Sequence, residues 1–189
     1  MDRRSFHSLL VGAMVTIPSC WVSLPMAARA AKPADDPKTL TFTTLDSGVR
    51  FADIIIGEDN TAVGPTSKVN VHLIGRLLGK QGWIFEHSQA AVEDPFRFDL
   101  GTGTVIPGLE QGLVGMKPGG RRRIVIPSSV GYTSGQKLEP IPREFGNRQR
   151  LYTTVLNTVR IDRERQELGG ENSLAGMVVF DVELLRLRK

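Results

Sequence analysis

The chain has 189 residues, of which 40% are hydrophobic, 23% charged and 6% aromatic. Those fractions describe an ordinary soluble globular protein and exclude a disordered, collagen-like or multi-span membrane chain. The formal net charge of +4 points at first to nucleic acid, and the N-terminus removes most of that signal.

Residues 1–30 carry the features of an export signal. Arg3-Arg4-Ser5-Phe6 is a twin-arginine start, an apolar stretch runs from Leu9 to Leu24, and Ala28-Arg29-Ala30 is a small-x-small cleavage site. Pro18 interrupts the stretch, which falls short of the roughly 18 uninterrupted apolar residues of a membrane span, so an uncleaved anchor helix is the weaker alternative. Ile17-Pro18-Ser19 is a poor approach to a lipid-modified Cys20. Cleavage after Ala30 takes three of the 24 basic and one of the 20 acidic residues, leaving a net charge of +2, and takes the single cysteine too. The mature fold must then rest on its hydrophobic core rather than a disulfide, and no nucleic-acid partner is expected.

Residues 31–48 read as a flexible lead-in and a first strand, and an alternating apolar pattern follows. Val49 to Ile56 is β-branched and apolar, and Gly57-Glu58-Asp59-Asn60 turns the chain. Val69, Val71 and Leu73 alternate with Lys68, Asn70 and His72, which predicts a half-buried strand with His72 on its polar face. Phe96, Phe98 and Leu100 alternate in the same way. Gly101-Thr102-Gly103-Thr104 reads as a turn, since it lacks the third glycine and the lysine of a phosphate loop.

Pro107 to Met116 is the expected helix: Pro107 suits a first turn, and Ile106, Leu109, Leu113 and Met116 fall at helical spacing. Gly108 and Gly112 weaken it but allow close approach to a sheet. Arg121-Arg122-Arg123 lacks interleaved aromatic residues and reads as a solvated strand end ahead of Ile124-Val125-Ile126. Leu151, Tyr152, Val155, Leu156 and Val159 keep a helical period, although Thr153, Thr154 and Val155 are β-branched. Arg163 to Asn172 reads as a mobile loop. In the last strand Val178, Phe180, Val182 and Leu184 share one face, and the apolar positions then shift to Leu185 and Leu187, predicting a bulge. The fold class is α+β, one antiparallel sheet wrapped around one short helix.

No Gly-x-Ser-x-Gly elbow, His-Glu-x-x-His or Walker loop is present. Of the three histidines, His7 leaves with the signal, and His72 and His87 have no ligand set around them in sequence, so no metal or cofactor is expected. Phe85, Phe96, Phe98, Val105, Ile106, Tyr132 and Phe180 could line an apolar pocket or simply form the core.

Phe85-Glu86, Pro95-Phe96-Arg97-Phe98, Val105-Ile106-Pro107-Gly108-Leu109, Gly112-Leu113-x-Gly115-Met116-x-x-Gly119-Gly120, Ile126-Pro127, Gly131-Tyr132 and Val179-Phe180-Asp181-Val182-Glu183-Leu184 stand in one order along the chain. In that order they resemble the FKBP-type peptidyl-prolyl cis-trans isomerases. The resemblance places the isomerase domain at residues 49–189, with an expanded loop at 135–172 before the last strand. Arg148-Gln149-Arg150-Leu151 and the twin arginines are similar to the luminal FKBPs of chloroplasts.

The resemblance implies a hydrophobic pocket between sheet and helix that takes a proline-containing segment and, in many members, macrolides such as tacrolimus or rapamycin. Phe85, Phe96 and Phe180 would be its aromatic walls, Val105 and Ile106 its mouth, and Leu109 its floor. The Ile106 N–H and the Tyr132 hydroxyl would each meet a substrate carbonyl. Glu86 stands where the family commonly has Asp, and Leu73, which with Phe98 would contact substrate, where it commonly has Tyr. Leu109 replaces the Trp of the most active members, which lowers the expected turnover. The implied protein is a monomeric isomerase of X–Pro bonds in the thylakoid lumen, or alternatively the bacterial periplasm. Leu73, Leu109 and the expanded loop favour the competing reading, an FKBP-fold binding module or assembly chaperone with a protein partner at 139–171.

Overall fold

The computed structural model describes residues 40–78, 81–88, 95–132, 138–142, 144–167 and 174–188. The expected export signal, and residues 31–39 of the lead-in, lie outside them. Strands β1 (Thr43–Thr44), β2 (Arg50–Ile55), β3 (Lys68–Leu77), β4 (Trp83–His87) and β5 (Phe96–Asp99) precede helix α1 (Pro107–Leu113). Strand β6 (Arg121–Ile126), a 3-10 turn at Ser128–Val130, helices α2 (Phe145–Val155) and α3 (Thr158–Glu167), and strand β7 (Val178–Arg188) complete the described chain. All strand pairs are antiparallel, in the order β1-β2-β6-β7-β3-β4, with β5 also on β3.

Strand β3 organises the sheet. It pairs with β7 along its whole length on one edge, while β5 pairs with its first half and β4 with its second. Ser88 seals the junction between those two partners. Its Oγ accepts the Leu73 N–H at 2.8 Å and its own N–H donates to the Leu73 carbonyl at 3.0 Å. Backbone groups of a buried strand must be paired, and a short polar side chain does this where the ladder changes strands. Paired on both edges, β3 is not simply half-buried: Asn70 is enclosed like its apolar neighbours, and His72 is partly covered, with Nδ1 3.3 Å from Ser88 Oγ. The expected polar face is corrected to that extent. The bulge lies where the last strand's pattern predicted it, because Asn70 pairs with Arg186 and Val71 with Leu184, leaving Leu185 unpaired between them.

Helix α1 lies on the sheet through its glycines. A Cβ on Gly108 would stand 2.3 Å from Ile126 Cγ2, and one on Gly112 2.5 Å from Ile124 Cγ2. The helix is shorter than its apolar period, ending at Leu113, and Gly115 turns the chain at a φ of +80°. Met116 still reaches the core.

Arg122 is the largest departure from expectation. It is buried rather than solvated. Its guanidinium chelates Asp53 at 2.7 and 3.1 Å, donates to the Gly112 and Val114 carbonyls at 2.9 and 3.0 Å, and stacks 4.3 Å from the Phe51 ring. It therefore caps the end of α1, where a helix leaves its last carbonyls without intrahelical partners. Arg123 chelates the buried carboxylate of Asp181 at 2.6 and 2.9 Å. The basic run is a structural brace because cross-strand carboxylates on β2 and β7 face it.

The segment before β7 is also more ordered than its composition suggested. Residues 163–167 belong to α3 rather than to a loop, while 168–172 lie outside the described residues. Leu151 and Val155 of α2 are buried in the same apolar cluster as Phe85 and Tyr132, and Arg150 stacks 4.2 Å from the Trp83 ring. The β-branched residues tolerate the helix because Thr153 and Thr154 return their hydroxyls to carbonyls one turn back.

Candidate active site

Three aromatic rings meet where β4, β7 and the turn after β6 converge. Phe85 lies edge-on to Phe180 at 5.7 Å and 89°, and edge-on to Tyr132 at 6.2 Å and 78°, the arrangement aromatic quadrupoles favour. Trp83 extends the row, 6.3 Å from Phe85. The cluster is possible because β3 carries Gly75 beneath it. A Cβ there would stand 2.7 Å from Phe85 and 2.8 Å from Phe180. Nothing in the periodicity marked Gly75, since only the cross-strand register reveals that both rings lie over it.

Val105, Ile106 and Leu109 are buried in the same cluster, as is Leu73, which lies one residue from the β3 register of Glu86 and His87. Glu86 is half-buried on β4. Phe96 and Phe98 pack against each other at 5.2 Å. They line an open groove of about 520 Å³ with Thr102, Thr104, Val105 and Glu139. The structure thus gathers Phe85, Tyr132 and Phe180 into one ring cluster and sets Phe96 and Phe98 on its flank.

Two polar groups point from the cluster. The Ile106 N–H donates to the Glu139 carbonyl at 3.0 Å, and the Tyr132 hydroxyl donates to the Pro140 carbonyl at 2.5 Å. Glu139 also donates its N–H to the Thr104 carbonyl at 2.9 Å, completing a parallel bridge to Val105. Burial, reinforced by the charges of Glu139 and Glu86, pushes the Tyr132 phenol well above its ordinary pKa, so it remains a protonated donor. Burial also raises Tyr152 of α2, with Glu139 adding to the shift.

Neither Glu139 nor Pro140 was among the expected site residues. The available signal was the pair of Xaa-Pro steps in Leu138-Glu139-Pro140-Ile141-Pro142, a short distance beyond Tyr132. Among the described residues, no group of three or more His, Cys, Asp or Glu side chains could hold a metal ion.

An antiparallel sheet on one short helix, with an apolar aromatic cluster flanked by a backbone N–H and a neutral phenol, defines the class as an α+β fold with an apolar site. A profile of the family "FKBP-type peptidyl-prolyl cis-trans isomerase" matches residues 59–185, and the chain belongs to that family. It is 41% identical over 147 residues to "Peptidyl-prolyl cis-trans isomerase FKBP17-1, chloroplastic" of Arabidopsis thaliana, covering 75% of this chain and 61% of that one. It is 36% identical over 157 residues to "Peptidyl-prolyl cis-trans isomerase FKBP16-1, chloroplastic" of the same plant, covering 80% and 71%. The crystal structure of FkpA from Escherichia coli shares the fold, with a TM-score of 0.53 and 24% identity over 80% of this chain and 53% of that one.

Proposed function

We propose that this chain accelerates the cis-trans isomerisation of X–Pro bonds in proteins. One observation carries the reading: the Ile106 N–H and the Tyr132 hydroxyl bind consecutive carbonyls of an X–Pro unit, Glu139 and Pro140. A substrate held by the same two donors has its imide bond between them, beside the aromatic cluster.

The chemistry needs no acid, base or nucleophile. Amide rotation is opposed by roughly 18–20 kcal/mol of lost resonance, and X–Pro bonds interconvert over tens to hundreds of seconds, slowly enough to limit folding. The twisted transition state carries less charge separation than the planar imide. An apolar wall therefore favours it relative to water, and each ~1.4 kcal/mol so gained is tenfold in rate. Phe85 and Phe180 supply that wall, while the two donors position the imide carbonyl and the prolyl carbonyl that follows it beside the wall. The family resemblance also supports FK506-type macrolides as ligands of the same pocket.

The test is the slow refolding phase of a proline-limited protein, followed with the chain and with its Tyr132→Phe and Phe85→Leu variants. Acceleration that drops in both variants supports the reading. No acceleration by the folded wild type overturns it in favour of a binding module.

The two relatives above are named chloroplastic. With the features of residues 1–30, this supports a chloroplast location and, more finely, the thylakoid lumen by the twin-arginine route. Import into isolated thylakoids tests it: Arg3→Lys/Arg4→Lys should block processing, and unimpaired processing would remove the twin-arginine assignment.

A further inference from the structure

The groups expected to receive substrate already hold part of this chain. We propose that Leu138–Pro142 is an intramolecular competitor, which occupies the isomerase site and must leave before an external X–Pro segment can enter. The inference rests on the assignment of that site to X–Pro binding.

The segment lies along the site as a bound peptide would. Leu138, Pro140 and Pro142 are buried, while Glu139 and Ile141 between them are partly exposed, the alternation of an extended chain on a surface. Its backbone is tied on both sides of the imide bond. Glu139 exchanges hydrogen bonds with Thr104 and Ile106, and the Pro140 carbonyl accepts from Tyr132. The Ile141 N–H folds back to the Glu139 carboxylate at 2.7 Å, so the donor that follows the proline is satisfied within the segment.

Helix α2 provides the anchor. It begins at Phe145, close behind Pro142, and buries Leu151 and Val155 in the cluster that contains Tyr132 and Phe85. A ligand tethered this way acts at an effective concentration of the order of millimolar. A free peptide then binds only to the displaced fraction, and its apparent affinity falls in proportion to that fraction. Short peptides that offer two carbonyls and one proline compete poorly. A protein client that also contacts the exposed faces around the site has the additional binding needed to displace the segment.

The experiment compares the full chain with its Glu139→Gly/Pro140→Gly variant, using the free pentapeptide Leu-Glu-Pro-Ile-Pro as probe. Amide hydrogen exchange at Ile106 and an NMR titration report occupancy, and cooperative urea unfolding confirms that the variant is folded. The Ile106 amide should be protected in the wild type without probe, exposed in the variant, and protected again when probe is added. The variant should bind the probe at least ~10-fold more tightly than the wild type. Equal affinity in the two forms, or an Ile106 amide equally exposed in both, overturns the proposal. If the double variant does not fold, Pro140→Gly alone replaces it and the same comparison decides.

Turnover of a proline tetrapeptide is read separately. A variant that gains probe binding but isomerises nothing supports the competitor and removes the isomerase reading. Equal turnover and equal binding in both forms remove the competitor and leave the isomerase.

Discussion

Phe85 and Phe180 meet edge to face, 5.7 Å apart, directly over the backbone of Gly75. The pair is set by the register that places Gly75 opposite Phe180 on β7 and Glu86 on β4, so the wall of the site depends on a residue with no side chain. Gly75→Ala should separate the rings. Overpacking of this kind costs about 1–3 kcal/mol, read as a lowered urea midpoint, and isomerase activity should fall with the wall disturbed. Unchanged stability and activity would show that the rings reorganise freely.

Tyr132 carries a pH signature. Its pKa is raised above the ordinary value by burial, with Glu139 and Glu86 adding to the shift. In the unfolded chain the phenol ionises near pH ~10, while the folded protein keeps the proton, so the folded state binds more protons above that pH. Its contribution to stability is complete below pH ~10 and declines as the pH rises further. Tyr132→Phe should flatten that decline. It should also cost about 1–3 kcal/mol at neutral pH by leaving the buried Pro140 carbonyl without its donor. Parallel stability curves for the two proteins above pH ~10 would contradict this assignment.

Arg122 is held by Asp53, by two carbonyls at the end of α1 and by the Phe51 ring. Arg122→Met removes the cation, leaving the solvent-reachable Asp53 carboxylate unpaired and the Gly112 and Val114 carbonyls without their donor, and should destabilise by about 1–3 kcal/mol in equilibrium unfolding. Arg122→Lys should recover only part of this, because an ammonium cannot chelate the carboxylate and reach both carbonyls. Full recovery by lysine would show that charge alone is needed.

Ser88→Ala removes the acceptor of the Leu73 N–H at the junction of β4 and β5. The unpaired buried donor should cost about 1–3 kcal/mol. The Leu73 amide should lose hydrogen-exchange protection, while the Val71 amide keeps its own. Equal protection before and after the change would mean that another acceptor replaces the serine.

Much of this protein was legible in the chain. Alternation drew β3, β5 and β7, and β-branched apolar runs drew β2 and β6; Pro107 with the Leu109–Leu113 spacing located α1; and the shift from Leu184 to Leu187 located the bulge. These are local signals, because one side chain faces the core every second residue of a strand and every third or fourth of a helix. The ordered motifs from Phe85 to Leu184 identified the family, since together they mark the strand ends and turns around one pocket.

The tertiary structure decided what depends on partners distant in sequence. Arg122 is buried because Asp53, 69 residues away, faces it across the β2–β6 register. Strand β4 carries Trp83 and Ile84 beside Phe85 and has no clean alternation, so its pairing with β3 defines it. Gly75 matters because two rings from different strands cross above it. Tyr132 and Ile106 were identifiable as donors from their motifs, but their acceptors were not. The resemblance to the family implies which groups can donate, and only the folded path of Leu138–Pro142 shows that this chain's own carbonyls receive those bonds.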